Sequence, residues 1–286
     1  MSMLNNFVAF ILSHGRPDNV RTYDTLKKHG YTGKIIILID NEDKTSKQYI
    51  QKYGEKNVII FDKKMQSKKF DQADNFDDRR SIVYARNVCF DVAKYLQIKY
   101  FIQLDDDYTS FRYRYFQHTY ITKGTVKNLD VYFNILLDFY KSTNISSVAI
   151  AQGGDFIGGE SCGMLSNYEN MSRKAMNSFI CSTERPFKFV GRINEDVNTY
   201  VYKGSLGLLQ LTIPYIALEQ LPTQSNDSGM ADIYNALGTY VKSFYSVIFH
   251  PSSVKVKLMG FKNNRMHHSI KWNNSVPKIL DEKYKK

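Results

Sequence analysis

The chain has 286 residues, 43% of them hydrophobic and 14% aromatic, enough to bury a sizeable core, which excludes a disordered tail. Its 39 Lys and Arg outnumber 28 Asp and Glu to give a net charge of +11, which favours a polyanionic partner such as nucleic acid, an anionic polymer or a nucleotide. Three cysteines, Cys89, Cys162 and Cys181, have no CxxC spacing and read as reduced thiols, which excludes a disulfide or zinc framework.

The run FVAFILS (7–13) predicts a buried strand. It is too short to span a membrane and has no signal-peptide flanks, so a cytoplasmic protein with no membrane partner is expected. A helical pattern follows from Pro17 to about His29, where Gly30 stops it. KIIILID (34–40), DKTSKQYIQKYG (43–54) and NVIIFD (57–62) continue as strand, helix and strand. Uniformly apolar strands separated by helices predict an α/β fold with a mostly parallel central sheet flanked by helices. Residues 63–80 are polar and densely charged, which reads either as a mobile lid or as a solvated loop. A helix over 81–96 comes next, then a strand over 99–104 that ends in Asp105, Asp106 and Asp107. Further on, 111–116 alternates as a strand, 129–142 is an amphipathic helix and 146–154 is another strand.

Three adjacent carboxylates at the end of an apolar strand need a cation, because desolvating each one costs several kcal/mol. At the C-terminal edge of a parallel sheet they would lie where open α/β sheets bind ligands. Period-two geometry puts Asp105 and Asp107 on one side and Asp106 on the other. Two carboxylates about 7 Å apart along the chain could share a divalent cation with the phosphates of a nucleotide. An Asp-rich turn that caps the next element is the plainer alternative.

Other polar groups gather on the same edge. The turn Ser13-His14-Gly15-Arg16 suits a base, ribose or phosphate, although it has no P-loop glycine pattern. Asp40 ends the second strand, and Arg86 and Asn87 sit in a buried-looking helical context. Glu195 and Asp196, after Asn194, open an amphipathic segment, either as helix capping or as a general base near an acceptor hydroxyl. His267 and His268 could complete the coordination of a metal or be exposed loop residues. In 111–116, Phe111, Tyr113 and Tyr115 share one face and Arg112 and Arg114 the other, as in a strand that stacks bases and meets phosphates. A half-buried strand with solvated arginines would carry the same residues.

Taken in order, FVAFILSHGRPDN, YARN (84–87), FIQLDDD (101–107), NED (194–196) and the late histidines resemble a GT-A glycosyltransferase. More narrowly, the chain resembles the glycosyltransferases encoded beside TET/JBP-type oxygenases in phages, which sugar-modify hydroxymethylated pyrimidines in DNA. The resemblance covers most of residues 5–270. It implies nucleotide-sugar contacts at Ser13, Arg16, Asp40, Arg86 and Asp105, with His14, Asn87 and Asp106 beside them. It implies metal binding at Asp107 and His268, with His267 adjacent, and a catalytic base at Asp196 beside Glu195. Acceptor contacts would fall to Arg112, Tyr113 and Arg114. A UDP-sugar donor, Mn²⁺ or Mg²⁺, and DNA carrying a hydroxymethylated base are the implied cofactors and partners. One domain over 1–286 is expected, with a nucleotide-sugar half (1–107), an acceptor half (108–262) and a C-terminal metal-ligand loop with a basic tail (263–286). An anionic polysaccharide acceptor, a nucleotidyltransferase or a non-catalytic nucleic-acid-binding protein are the rival expectations.

Overall fold

The computed structural model describes residues 6–74, 76–117, 120–156, 175–220, 241–259 and 265–275, together with 279 and 282. Cys162, the Gly158–Gly159 turn and most of the basic tail lie outside them. Strands β1 (Phe7–Leu12), β2 (Lys34–Asp40), β3 (Val58–Phe61) and β4 (Tyr100–Asp105) pair in parallel in the order β3-β2-β1-β4. The near-complete burial of β1, β2 and β4 matches their apolar runs, since each must fill both faces of a covered sheet, whereas the edge strand β3 leaves Ile60 exposed.

Beyond β4 the same sheet becomes mixed. It continues through β8 (Ser178–Ser182), β7 (Ser147–Gln152), β9 (Gln210–Gln220), β5 (Tyr108–Gln117) and β6 (Tyr120–Thr125). Here β4–β8, β8–β7, β9–β5 and β5–β6 are antiparallel, and only β7–β9 is parallel. This is the expected α/β architecture, with the parallel part concentrated in its first four strands.

Helices cover both faces. Helices α1 (Arg21–Lys28), α2 (Ser46–Tyr53) and α5 (Leu129–Ser142) contribute Leu26, Tyr49, Phe133 and Leu137 to one core. On the other face α4 (Val83–Tyr95) and α6 (Glu195–Ser205) bring Cys89, Phe90 and Tyr200 against Phe10, Phe101 and Cys181. The helix predicted from Pro17 starts later, because Pro17–Asn19 form a 3-10 turn first. Helix α2 is likewise shorter than predicted: the Asp43 carboxylate accepts from Thr45 N and Thr45 Oγ1, bending the chain ahead of the helix. No helix among the described residues is long and apolar enough to cross a membrane.

The charged stretch 63–80 differs most from expectation. It opens with a short helix α3 (Lys63–Ser67) and then docks on residues 191–192, where Gly191 N donates to Asp71 O and Arg192 N to Gln72 O. Buried Arg192 explains the docking. Its guanidinium lies 3.0 Å from Asp74 and 3.3 Å from Asp78, carboxylates it needs in order to stay charged inside the protein. Two acids that looked like lid solvation are structural partners.

Gly191 has φ +82°, and a Cβ there would overlap Asn198 Nδ2 and lie 2.8 Å from the Phe249 ring. Gly191→Ala should therefore destabilise the fold by about 1–3 kcal/mol. A denaturant midpoint equal to wild type would show that the segment can shift without cost.

The chain ends in a two-stranded ribbon, β10 (Val254–Met259) and β11 (Arg265–Ile270), preceded by helix α7 (Val241–Phe249). The histidines expected in a loop thus lie in a strand. Apolar Met266 and Ile270 alternate with their neighbours opposite VKVKLM, so both segments can pair as a ribbon with one covered face.

Candidate functional site

Strands β1, β2 and β4 all end at one edge. Leu12 is in register with Asp105 and Leu38, so Ser13, Asp40 and the Asp triplet emerge together. Chain connections run in opposite senses from β1 and β4, which makes this the topological switch point of the sheet.

The first two Asp side chains turn to opposite faces, as period-two geometry predicts. Asp105 faces α4, where Arg86 Nη2 donates to its Oδ1 at 2.9 Å. The same guanidinium donates through Nε to Glu195 Oε1 at 2.8 Å and lies over the rings of Phe179 and Phe189. Asp106 faces α2 and is almost completely buried. Ser13 Oγ donates to its Oδ2 at 2.5 Å and Arg16 Nη2 to its Oδ1 at 2.9 Å. Tyr49, missed in the sequence, holds this turn: its hydroxyl is 2.7 Å from Ser13 Oγ and accepts from Arg16 N at 2.9 Å.

Asp107 does not share a side with Asp105 in strand fashion, because β4 has ended and residues 106–107 form the turn into β5. Thr22 pins that turn. Its N donates to Asp106 O, its Oγ1 to Asp105 O, and Tyr108 N donates to that same hydroxyl. Asp107 Oδ1 is buried and has no hydrogen-bond partner among the described residues. Two nearby donors are in the same condition, Arg16 Nε and Arg86 Nη1. Buried polar atoms are nearly always satisfied, so one acceptor and two donors left open around one strand end indicate a ligand-binding place.

The charges agree with this. Arg16 and Arg86 face four carboxylates, Asp105, Asp106, Asp107 and Glu195, a deficit of two positive charges. Burial, reinforced by neighbouring carboxylates and only partly opposed by Arg86, pushes Asp105 up to about 7. Burial likewise raises Asp106 to about 6 against the pull of Arg16. Asp107 and Glu195 also move up, chiefly through desolvation. One divalent cation would carry the missing charge. Among the described residues no three His, Cys, Asp or Glu side chains converge as a metal site, so the protein alone would not close a coordination sphere. Asp107, with its open oxygen, fits a cation that is completed by ligand oxygens.

Beside the triplet, His14 Nδ1 lies 2.7 Å from Asp40 Oδ2, and buried Lys63 reaches the same oxygen at 3.2 Å. Burial pushes Asp40 up, but the His14 hydrogen bond and the Lys63 charge outweigh it and hold the carboxyl below its usual range. Nothing in the sequence singled out Lys63 among many lysines. Asn87 uses its side-chain amide on the backbone of Phe189, donating to its O at 3.0 Å and accepting from its N at 2.8 Å. It thereby fixes the segment leading to α6.

Glu195 and Asp196 do open a helix, as expected, but Asn194 enters it in the left-handed region and its side chain makes no cap bond. Its Nδ2 donates to Ser246 Oγ instead. Glu195 belongs to the Arg86 network, and Asp196 Oδ1 accepts from Val197 N at 2.7 Å. His268, mostly buried, shares a ribbon face with Val254 and Ile270, which pack on Val197 and Val201 of α6. The His267 ring lies against that of His268, with centroids 4.2 Å apart.

The β5 arginines are paired, Arg112 at the surface and Arg114 inside. Arg112 Nε and Arg114 Nη2 both donate to Glu219, at 3.1 and 3.2 Å, and Arg114 is buried. Glu219 on β9 lies far off in sequence, so no local pattern announced it. Tyr113 and Tyr115 remain 39% and 44% exposed while Phe111 is buried, leaving two aromatic rings at the surface of this edge of the sheet.

Solved structures similar to the chain include glucosyl-3-phosphoglycerate synthase from Mycobacterium tuberculosis with Mg²⁺ and UDP, at TM-score 0.43 and 10% identity over 93% of this chain and 87% of that one. The same enzyme with Mn²⁺ and UDP-glucose matches at TM-score 0.43 and 10% identity, over 93% and 86%. No curated protein sequence matches the chain. The model of one family, the TET-associated glycosyltransferases, matches residues 7–229, from β1 through the Asp triplet and α6 to beyond β9. The chain belongs to the TET-associated glycosyltransferase family and is a glycosyltransferase.

Proposed function

We propose that the protein transfers a hexosyl group, glucose in our reading, from a UDP-sugar to the hydroxyl of a hydroxymethylated pyrimidine in DNA, inverting the anomeric carbon. The observation that carries this is the unsatisfied cluster at the end of β4, in which Asp107 Oδ1 stands open beside Arg16 Nε and Arg86 Nη1. A divalent cation, Mn²⁺ or Mg²⁺, held by Asp107 with His268 or His267 as a further ligand, would neutralise charge on the departing diphosphate.

The chain's own groups supply the rest. Ser13, His14, Arg16 and Asp40 form the edge that receives the nucleotide, with Asp106 holding Ser13 and Arg16 in place. Arg86, oriented by Asp105 and Glu195 and backed by Asn87, directs its remaining N–H toward the donor. Asp196 takes the proton of the acceptor hydroxyl as that oxygen bonds to the anomeric carbon and the bond to the diphosphate breaks. Tyr113 offers a ring for a base, and the pair Arg112 and Arg114 shapes that surface through Glu219. The family's association with TET and the net charge of +11 support DNA as the acceptor.

Nucleoside mass spectrometry tests the reading. The protein, Mn²⁺ and mixed UDP-sugars are incubated with duplexes containing cytosine, 5-hydroxymethylcytosine or 5-hydroxymethyluracil, and free UDP is measured in the same tubes. A sugar mass added to one hydroxymethyl base is expected. UDP release without a DNA product would discard DNA as acceptor and leave an anionic polysaccharide as the next candidate. Asp196→Asn should spare UDP-sugar binding and slow transfer by at least ~100-fold, the usual scale of general-base loss. Normal transfer by that variant would place the base elsewhere.

A further inference from the structure

We infer that the outer face of the β10–β11 ribbon holds the phosphate backbone of duplex DNA. This rests on the DNA-acceptor reading above and assigns the surface that would carry the duplex. The arginines first expected to meet phosphates, Arg112 and Arg114, share the single carboxylate of Glu219 and keep only one net positive charge between them, so an acceptor of high negative charge needs further cations from elsewhere.

The sequence concentrates them near the C-terminus. No Asp or Glu occurs between Asp232 and Asp281, while Lys242, Lys255, Lys257, Lys262, Arg265, Lys271 and Lys278 do. That one stretch accounts for most of the net charge of +11. The fold then sorts the ribbon's residues by face. Val254 and Ile270 turn inward onto Val197 and Val201, together with Val256 and its cross-strand partner His268. Lys255 and Lys257 turn outward and are exposed, opposite Ser269 and His267, and exposed Lys271 follows directly.

Lysines two apart on a strand lie about 7 Å from each other on one face. Like charges placed this way weaken a two-stranded ribbon, which already has little stability of its own. Among the described residues Lys255, Lys257 and Lys271 form no ion pair, unlike the buried arginines of the site. A cationic face without acidic compensation suits a polyanion, and two-stranded ribbons are an established form of DNA-binding surface. The inner face rests on α6, whose first turn carries Asp196. The ribbon would thus lie between a duplex on its outer face and the helix that bears the candidate base.

The experiment measures binding of a fluorescent duplex across a KCl series for wild type, K255Q/K257Q and K255Q/K257Q/K271Q. A charge-matched control, K34Q/K56Q, removes two exposed lysines at the opposite edge of the sheet, where β2 begins and β3 is about to begin. Thermal melting confirms that each variant is folded. The slope of log K against log salt should fall by about 0.9 for each ribbon lysine removed, and affinity should fall alike for all duplex sequences. The control should keep the wild-type slope.

Ribbon variants with the wild-type slope would overturn the assignment of the surface while leaving DNA as acceptor intact. An equal loss in the control would overturn it too, by reducing the effect to bulk charge. Binding of dextran sulfate or single-stranded RNA but not duplex DNA would overturn the partner. A wild-type protein that neither binds duplex nor glycosylates it would sink the DNA-acceptor reading itself, and the inference with it.

Discussion

Asp107→Asn is expected to reduce sugar transfer by on the order of 10³-fold or more and to remove the divalent-cation dependence of UDP binding. The magnitude follows from the role assigned to this carboxylate, because charge on a departing diphosphate is the largest that develops in the reaction and stabilising it is worth several kcal/mol. Calorimetric titration of UDP with and without Mn²⁺ separates the two effects. Metal-dependent UDP binding that survives the substitution would strike Asp107 from the ligand set.

Stability distinguishes this result from a folding defect. The open oxygen of Asp107 has no hydrogen bond to lose. Its charge also raises its neighbours Asp105 and Asp106, which is a cost to the folded state. Asn is nearly isosteric and uncharged. The variant should melt at or above the wild-type temperature while losing activity, as expected where function requires a local excess of like charge.

Arg86→Met should do the reverse and act first on stability. The guanidinium is fully buried and hydrogen-bonded to Asp105 and Glu195. Burial by itself would lower its proton affinity, but the two carboxylates outweigh burial and hold it above the ordinary arginine range. Removing one partner of such a network leaves buried charge uncompensated and costs about 3–5 kcal/mol. For a chain of this size the melting temperature should fall by on the order of 10 °C. Calorimetry or denaturant melts check this, and the double variant R86M/E195Q should recover part of the loss. An R86M protein as stable as wild type would mean that the carboxylates simply take up protons, and that Arg86 serves only the ligand.

Much of the site could be read from local sequence, for physical reasons. Uniformly apolar runs can be stable only in a sheet covered on both faces, so FVAFIL, KIIILI and FIQL announced the parallel half and the edge where their polar ends meet. Three carboxylates next to such a run could only be a site or a turn, and in the protein Asp106 and Asp107 do form a turn. The alternation in a strand also placed Asp105 and Asp106 on opposite faces. It failed for Asp107, because alternation ends where the strand ends, and that residue carries the open oxygen.

What local pattern could not supply were the partners. Arg86 and Glu195 are 109 residues apart, Arg192 and Asp74 are 118, and Arg114 and Glu219 are 105. Glu195 read as helix capping or a general base and Asp74 as part of a lid or a solvated loop, while Glu219 drew no reading, because the cation that each meets is remote in sequence. The charged stretch 63–80 read as a mobile lid or a solvated loop for the same reason, since a side chain's cost or benefit depends on whether an opposite charge meets it in low dielectric. The sequence by itself determined the parallel half-sheet, the acidic strand end and the helix that Glu195 opens, because these depend on residues within one or two turns of each other. Only the tertiary structure decided which carboxylate stays open, which arginines are already spent, and that the late histidines lie in a ribbon, because packing and Coulomb pairing join residues that the chain keeps far apart.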